Sequence, residues 1–413
     1  MKSRYKAVLA GLFLAGIGGA VLFHGRAATA AEPSKVPFTF VTVDANVHVP
    51  GAASTMVVGI NNRGDMVGSY NFIPGAGAFG LPAGFLGKGF VLYKDGTFKT
   101  IDGPGPVNPA GCNPLQGSFA NCYYIEARGI NDRGDVVGAY SQDVLNPQGG
   151  LFRAFYQQAG GQFTSYLFPG HTNSIFQRIT DSGVIYGCFH DEGIDNSSQE
   201  SMHAVIHLLR PDGNIQIITF KPEGSTMNVG GDPGAARYAG VWFDFAAQRH
   251  RAYIFKGDNR LNFDMPGSNM TQAWDMNADG DVVGVWGNNP DPVVIDGIPF
   301  HGYLRERSGN FIAIDYPGSI DTHVFGINAS GDIVGSYVDH SFNIHGFVAR
   351  PGDRRAEMIR SARPAIVNAS FGGPRAGKDA AASVLVAMMP IIPKDKPLLA
   401  PAQTPACHQI RRK

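Results

Sequence analysis

Gly326-Ile327-Asn328-Ala329-Ser330-Gly331-Asp332-Ile333-Val334-Gly335-Ser336-Tyr337 reads as two short strands joined by a tight turn. Asn at the start of the turn and Gly near its end fit a hairpin with one left-handed position. The turn Asn-x-x-Gly-Asp recurs at Asn61 to Asp65, Asn131 to Asp135 and Asn277 to Asp281. The strand after it ends in an apolar residue, glycine, a variable residue and an aromatic, and this ending occurs six times. The copies close at Tyr70, Tyr140, Phe189, Trp242, Trp286 and Tyr337. Their glycines, at 68, 138, 187, 240, 284 and 335, lie 70, 49, 53, 44 and 51 residues apart. One long interval reads as an insertion into a unit of about 50 residues, the length of a propeller blade.

Two more landmarks complete each unit. A strand opens with a basic, a small and an apolar residue: Lys88-Gly89-Phe90, Arg153-Ala154-Phe155, His203-Ala204-Val205, Arg251-Ala252-Tyr253, His301-Gly302-Tyr303 and His345-Gly346-Phe347. A turn such as Lys94-Asp95-Gly96 or Pro211-Asp212-Gly213 leads to another strand, Phe98 to Asp102 or Phe311 to Asp315, closed by Pro104-Gly105 or Pro317-Gly318. Proline presets φ there and glycine accepts positive φ. Each unit therefore holds four strands.

These repeats resemble the extracellular repeat proteins named for a His-Ala-Phe signature (HAF repeats), whose other element is Gly-Ile-Asn followed by Gly-Asp-Ile-Val-Gly. The resemblance covers residues 38–350. The best copy is 301–347, and residues 227–242 depart furthest from the pattern. It implies an extracytoplasmic location and a repeat architecture, and it carries over no catalytic residue.

The repeat starts out of phase, which separates a closed ring from an open array. Phe38 to Asp44 is a strand of the Phe98 type, and Gly346 to Arg350 is of the opener type. Pairing them completes a sixth blade from both ends of the chain and removes exposed strand edges. The expectation is an all-β, six-bladed β-propeller over 32–350 whose N- and C-terminal strands close one blade. Basic openers have an acidic counterpart 13 or 14 residues on: Lys88 with Asp102, Arg251 with Asp264, His301 with Asp315. By the same register His345 should meet Asp44. Strand parity puts the two tight turns of each unit on one face and the longer connections on the other. The connections 71–87, 141–152, 190–202, 243–250, 287–300 and 338–344 are read as joining one blade to the next, and loops of this kind usually carry function.

Composition agrees. The 413 residues include 54 glycines, only 16% are charged, and 44% are hydrophobic, enough for a large core. The 34 basic and 34 acidic residues balance, so nucleic acid is not an expected partner. The balance conceals an acidic body. Residues 1–31 hold four basic groups and 351–413 hold 11 basic and 4 acidic, leaving residues 32–350 at a net −11. The basic, Pro/Ala-rich tail from 351 is expected to be largely disordered apart from a short helix at 354–361, and Ala380 to Pro393 is too short to span a bilayer. Lys2, Arg4 and Lys6 precede an apolar run from Ala7 to Phe23, then Ala28-Thr29-Ala30. That is the pattern of a signal peptide over 1–31, with an uncleaved anchor as the alternative, and it makes the chain secreted or periplasmic. In that compartment Cys112 and Cys122, ten residues apart, are expected to form a disulfide. Cys188 falls in a strand and should be a buried thiol, and Cys407 lies in the tail.

Residues outside the repeat are the functional candidates. His190, Asp191, Glu192 and Asp195 bring an imidazole and three carboxylates to one connection, a set suited to a divalent ion such as Ca2+ or to acid/base chemistry. Arg153 and His203 lack an acidic counterpart and are candidates to meet a ligand. His340 with Asp339, and His250 with Arg249, repeat the signal more weakly. Asn277 to Asp281 resembles a calcium loop but lacks the distal glutamate, so it reads as a turn. Trp242 and Trp286 occupy the repeated aromatic position and should pack the blades. No motif demands a cofactor. The expected function is a binding module for an envelope protein or polysaccharide acting through the long-connection face. The alternative is a cation-dependent hydrolase or lyase acting on a sugar or lactone, an inference from fold alone.

Overall fold

A computed structural model describes residues 38–352 apart from 53, 71–86, 102, 104–123, 142–151, 172, 191–201, 211–212, 220–225, 233–235 and 289–298. Residues 1–31, expected to be a signal peptide, the tail, and the expected Cys112–Cys122 disulfide lie outside the described residues. Six four-stranded antiparallel sheets follow one another along the chain. Blade 1 runs Thr55–Ile60, Met66–Tyr70, Lys88–Leu92, Phe98–Ile101, from the channel outwards. Blade 2 is Tyr124–Ile130, Val136–Ser141, Phe152–Gln157, Phe163–Tyr166. Blade 3 is Asn173–Ile179, Val184–His190, Met202–Leu209, Ile215–Thr219. Blade 4 is Thr226–Asp232, Arg237–Asp244, Arg249–Lys256, Asn259–Phe263. Blade 5 is Met270–Met276, Val282–Gly287, His301–Arg305, Phe311–Ile314. Blade 6 takes Asp321–Ile327, Ile333–Val338 and Ile344–Pro351 from one end of the chain and Phe38–Val43 from the other. The chain is a six-bladed β-propeller.

The expected closure is present. Phe38–Val43 pairs antiparallel with the last strand, from Phe38 opposite Pro351 to Val43 opposite Gly346. His345 Nδ1 lies 2.8 Å from Asp44 Oδ2. The phase of the repeat differs from the expectation, however. The Gly-Ile-Asn strand is the innermost of its blade and comes first, so 71–87 and its counterparts connect the second to the third strand within a blade. The reason is the channel: six strands must converge on the axis, and the glycine strand is the one whose backbone tolerates that approach. Blade 4 is a complete four-stranded sheet despite its divergent sequence.

The landmarks of the repeat turn out to be contacts with one another. The repeated glycine faces the third residue of the opener across the strand pair: Gly68 opposite Phe90, Gly138 opposite Phe155, Gly335 opposite Phe347. Those three rings are fully buried. A Cβ at Gly68 would collide with the carbonyl oxygen of Met56 and crowd the Phe90 ring. Glycine thus opens the space into which a phenylalanine packs, a burial that contributes about 2 kcal/mol per ring. In the turn, Gly64 takes φ +89°, the left-handed position expected. Asn61 Oδ1 accepts from the backbone N–H of Arg63 (3.0 Å) and Asp65 (2.9 Å). Its Nδ2 donates to Asp65 Oδ2 and to the carbonyl of Asn131 in the next blade, both at 3.0 Å. Asn328 in turn donates to the carbonyl of Asn61 (3.2 Å). The asparagine therefore shapes its own hairpin and also ties neighbouring blades around the channel mouth. Asp65 Oδ1 accepts from Lys94 N–H (3.1 Å), joining the two tight turns of one blade.

Candidate functional site

Tight turns gather on one face, and the connections of variable length gather on the other. Between them runs the channel, and the inner strands decide what it can admit. The glycine of Gly-Ile-Asn sits beside the axis at Gly59, Gly129 and Gly326, with Gly230 at the same place in blade 4. Blades 3 and 5 carry Arg178 and Asp275 there, each at a shift in strand register. The Arg178 guanidinium lies 3.0 Å from Asp275 Oδ2 and donates to the carbonyls of Arg128 and Gln177 (2.6 Å each), Val58 (2.9 Å) and Phe325. Asp275 also accepts from the N–H of Met276 (2.8 Å) and Ile327 (3.2 Å). Burial pushes the Asp275 carboxyl above its ordinary range against the pull of Arg178. One ion pair thus spans blades 1, 2, 3, 5 and 6 and closes the channel. Beyond it, on the tight-turn side, a recess of about 340 Å3 is lined by Asn61, Asp132, Asp181 and Asn277 among others.

On the long-connection face, the repeated aromatic near the end of each second strand is the direct cross-strand neighbour of the basic opener in all six blades. Phe189 stacks on His203 at 5.1 Å between centroids, Trp286 on His301 at 4.8 Å and Tyr337 on His345 at 5.0 Å. An acid just past the outer strand completes the row in blades 4 to 6: Asp264 lies 2.9 Å from Arg251, Asp315 is 3.1 Å from His301, and Asp44 is 2.8 Å from His345. Asp102, the expected partner of Lys88, lies outside the described residues. These rows stand on third strands, away from the channel, so they fix strand register and form no ring of charge around its mouth. Trp242 and Trp286 pack in the same rows, as expected.

The candidates from the sequence fare unequally. His190 ends the second strand of blade 3 and is buried, its Nε2 3.9 Å from the Cys188 thiol. Cys188 is buried as expected, and burial pushes its thiol up to about 12. Asp191, Glu192 and Asp195 lie outside the described residues. His203 is half-buried and stacks on Phe189, as His301 and His345 stack on Trp286 and Tyr337. Arg153 is exposed, opposite Tyr140. His250 is buried against Phe243, and that burial pushes it down to about 4. Asn277 to Asp281 is a hairpin turn, with Gly280 at φ +88°. Among the described residues no three His, Cys, Asp or Glu side chains converge as metal ligands would.

Sequence reasoning passed over His171. Its Nδ1 lies 3.1 Å from the His190 carbonyl oxygen and its ring 4.5 Å from Phe189, which stacks on Phe168. Nine of the ten described histidines, all but His207, lie in or beside the long connections. Phe342 and Phe245, 71% and 42% exposed, stand in connections on the same face.

No family model matches the chain, and no curated protein matches it. Solved structures with the propeller fold do. The β-propeller domain of the Trilobed protease from Pyrococcus furiosus is 10% identical over 72% of this chain and 93% of that one, with a TM-score of 0.41. A gluconolactonase from Xanthomonas campestris is 10% identical over 77% and 96%, with a TM-score of 0.39. TolB from Acinetobacter baumannii is 12% identical over 68% and 63%, with a TM-score of 0.39. No helix among the described residues is long and apolar enough to cross a membrane.

Proposed function

We propose that the chain is a secreted or periplasmic binding module that engages an envelope polysaccharide or envelope protein through its long-connection face. The observation that carries this reading is the exposure of Phe245 and Phe342 on the face that also gathers the histidines. Exposed aromatics beside polar rings that can donate or accept hydrogen bonds suit a docking surface.

Cosedimentation of the protein with insoluble envelope material tests the reading. Wild type should pellet with the envelope fraction, and a Phe245→Ser/Phe342→Ser variant should lose most of that binding while unfolding at the same temperature. Binding that survives protease treatment of the fraction identifies a polysaccharide, and binding that is lost identifies a protein. Absence of binding, or equal binding by the variant, would overturn the proposal.

A further inference from the structure

On the opposite face, between the tight-turn ends of blades 4 and 5, lies a groove of about 320 Å3 lined by Arg237, Lys256, Arg260, Arg305 and Arg307. Five cationic residues around one recess are out of keeping with a body that carries a net −11. They are also positioned. The Arg260 guanidinium is drawn over the rings of Trp242 (4.5 Å) and Tyr253 (5.0 Å), with its Nε donating to Asn262 Oδ1 at 2.7 Å, on the sheet face opposite Ile254 and Leu261, which leaves Arg237, Lys256, Arg305 and Arg307 as the charged groups of the groove. The Arg305 guanidinium lies over Phe263 at 4.8 Å. Arg237 is held by Asp232 (3.4 Å) and by the carbonyl of Ala278 (3.1 Å). Aromatic faces orient an arginine without consuming its hydrogen-bond donors.

Part of these cations' donor capacity is unmet among the described residues. Among the described residues Lys256, Arg260, Arg305 and Arg307 make no ion pair, and the Nε atoms of Arg237 and Arg305 are buried with no hydrogen-bond partner. Burial makes the charge of Arg305 costlier than it is in water. Apolar Ile254, Leu261 and Met276 complete the lining, and Leu261 is 51% exposed. The volume is that of a small-molecule site. We infer that this groove binds a ligand bearing phosphoryl groups, its oxygens taken by the guanidinium forks and its less polar portion resting on Ile254, Leu261 and Met276. Arginine forks match the tetrahedral, multiply charged oxyanion better than a single carboxylate. The phosphoryl group could belong to a soluble metabolite or to a lipid headgroup, and the groove's chemistry is the same for both.

The test uses the full chain and two probes. Isothermal titration with inorganic pyrophosphate, and with inorganic phosphate for comparison, should give one site per chain, pyrophosphate the tighter, weakening as salt is raised. Lys256→Glu/Arg307→Glu, at two exposed positions, should weaken pyrophosphate about tenfold or more and leave the unfolding temperature unchanged. Lys94→Glu/Lys99→Glu in blade 1, with the same charge change, should leave the affinity as it was. Vesicles of phosphatidylcholine with phosphatidic acid distinguish the sources: cosedimentation abolished by Lys256→Glu/Arg307→Glu assigns a headgroup, and pyrophosphate binding without cosedimentation assigns a soluble ligand. No binding of either probe, or equal weakening by both variants, would overturn the inference. Envelope binding through Phe245 and Phe342 is read separately, on the other face.

Discussion

His207 is the least expected residue of the core. It is 1% exposed, packs edge-on against Tyr166 and Phe176 at 5.1 Å each, and neither ring nitrogen has a hydrogen-bond partner. Burial pushes it down from 6.5 to about 3, so the folded state holds it neutral. A depressed histidine contributes no penalty above 6.5, and stability is lost as pH falls from there towards the folded value. By pH 4 the loss is about 3 kcal/mol. His207→Phe should therefore be more stable at pH 7 by about 1–2 kcal/mol, since it removes two unsatisfied buried nitrogens. It should also soften the fall between pH 6.5 and 4, as urea unfolding at stepped pH would show. A variant less stable at pH 7, with the acid limb unchanged, would mean that His207 is paired in solution.

At the scale of the strand, the closing element is held by His345, clamped between Asp44 (2.8 Å) and Asp339 (3.3 Å). Burial opposes the charged imidazolium, but hydrogen bonds and charge from the two aspartates outweigh it and hold His345 above its ordinary 6.5. A raised histidine stabilises fully below 6.5, and its contribution is lost as pH rises through the folded value. The stability difference between wild type and His345→Ala should therefore be largest below pH 6.5 and shrink towards pH 9; a difference that grows with pH would refute the clamp. Deleting residues 38–43 should cost several kcal/mol more than any single substitution in that strand. It strips six residues of pairing from Ile344–Pro351 and bares an edge, so the truncated chain should self-associate in light scattering.

For the whole molecule, Arg178 and Asp275 are the contact that no single blade contains. Removing one partner leaves a buried charge uncompensated, so Arg178→Met should cost about 3–5 kcal/mol. Arg178→Met/Asp275→Leu should recover much of that loss, because the pair's cost of desolvation is removed together with its attraction. A double-mutant cycle by urea unfolding would read the coupling, and simple additivity would show that the two side chains do not meet.

The sequence by itself determined the blade count, the four strands of each unit and the closure, because each is written in local chemistry that repeats. Turns demand Asn and Gly at set offsets, strands alternate, and a repeat out of phase at its two ends has to pair them. The acid–base rows at Asp264, Asp315 and Asp44 were legible for the same reason: strand register converts a spacing into a distance. Tertiary structure alone decided which strand faces the axis, and with it the meaning of two departures from the repeat. Arg178-Ile179-Thr180 and Asp275-Met276-Asn277 look like eroded copies of Gly-Ile-Asn along the chain. Only convergence of six inner strands brings their side chains, 97 positions apart, within 3.0 Å. The basic groove is of the same kind, drawn from five residues on two blades. Its cluster of cations arises from the docking of sheets, which no local spacing records.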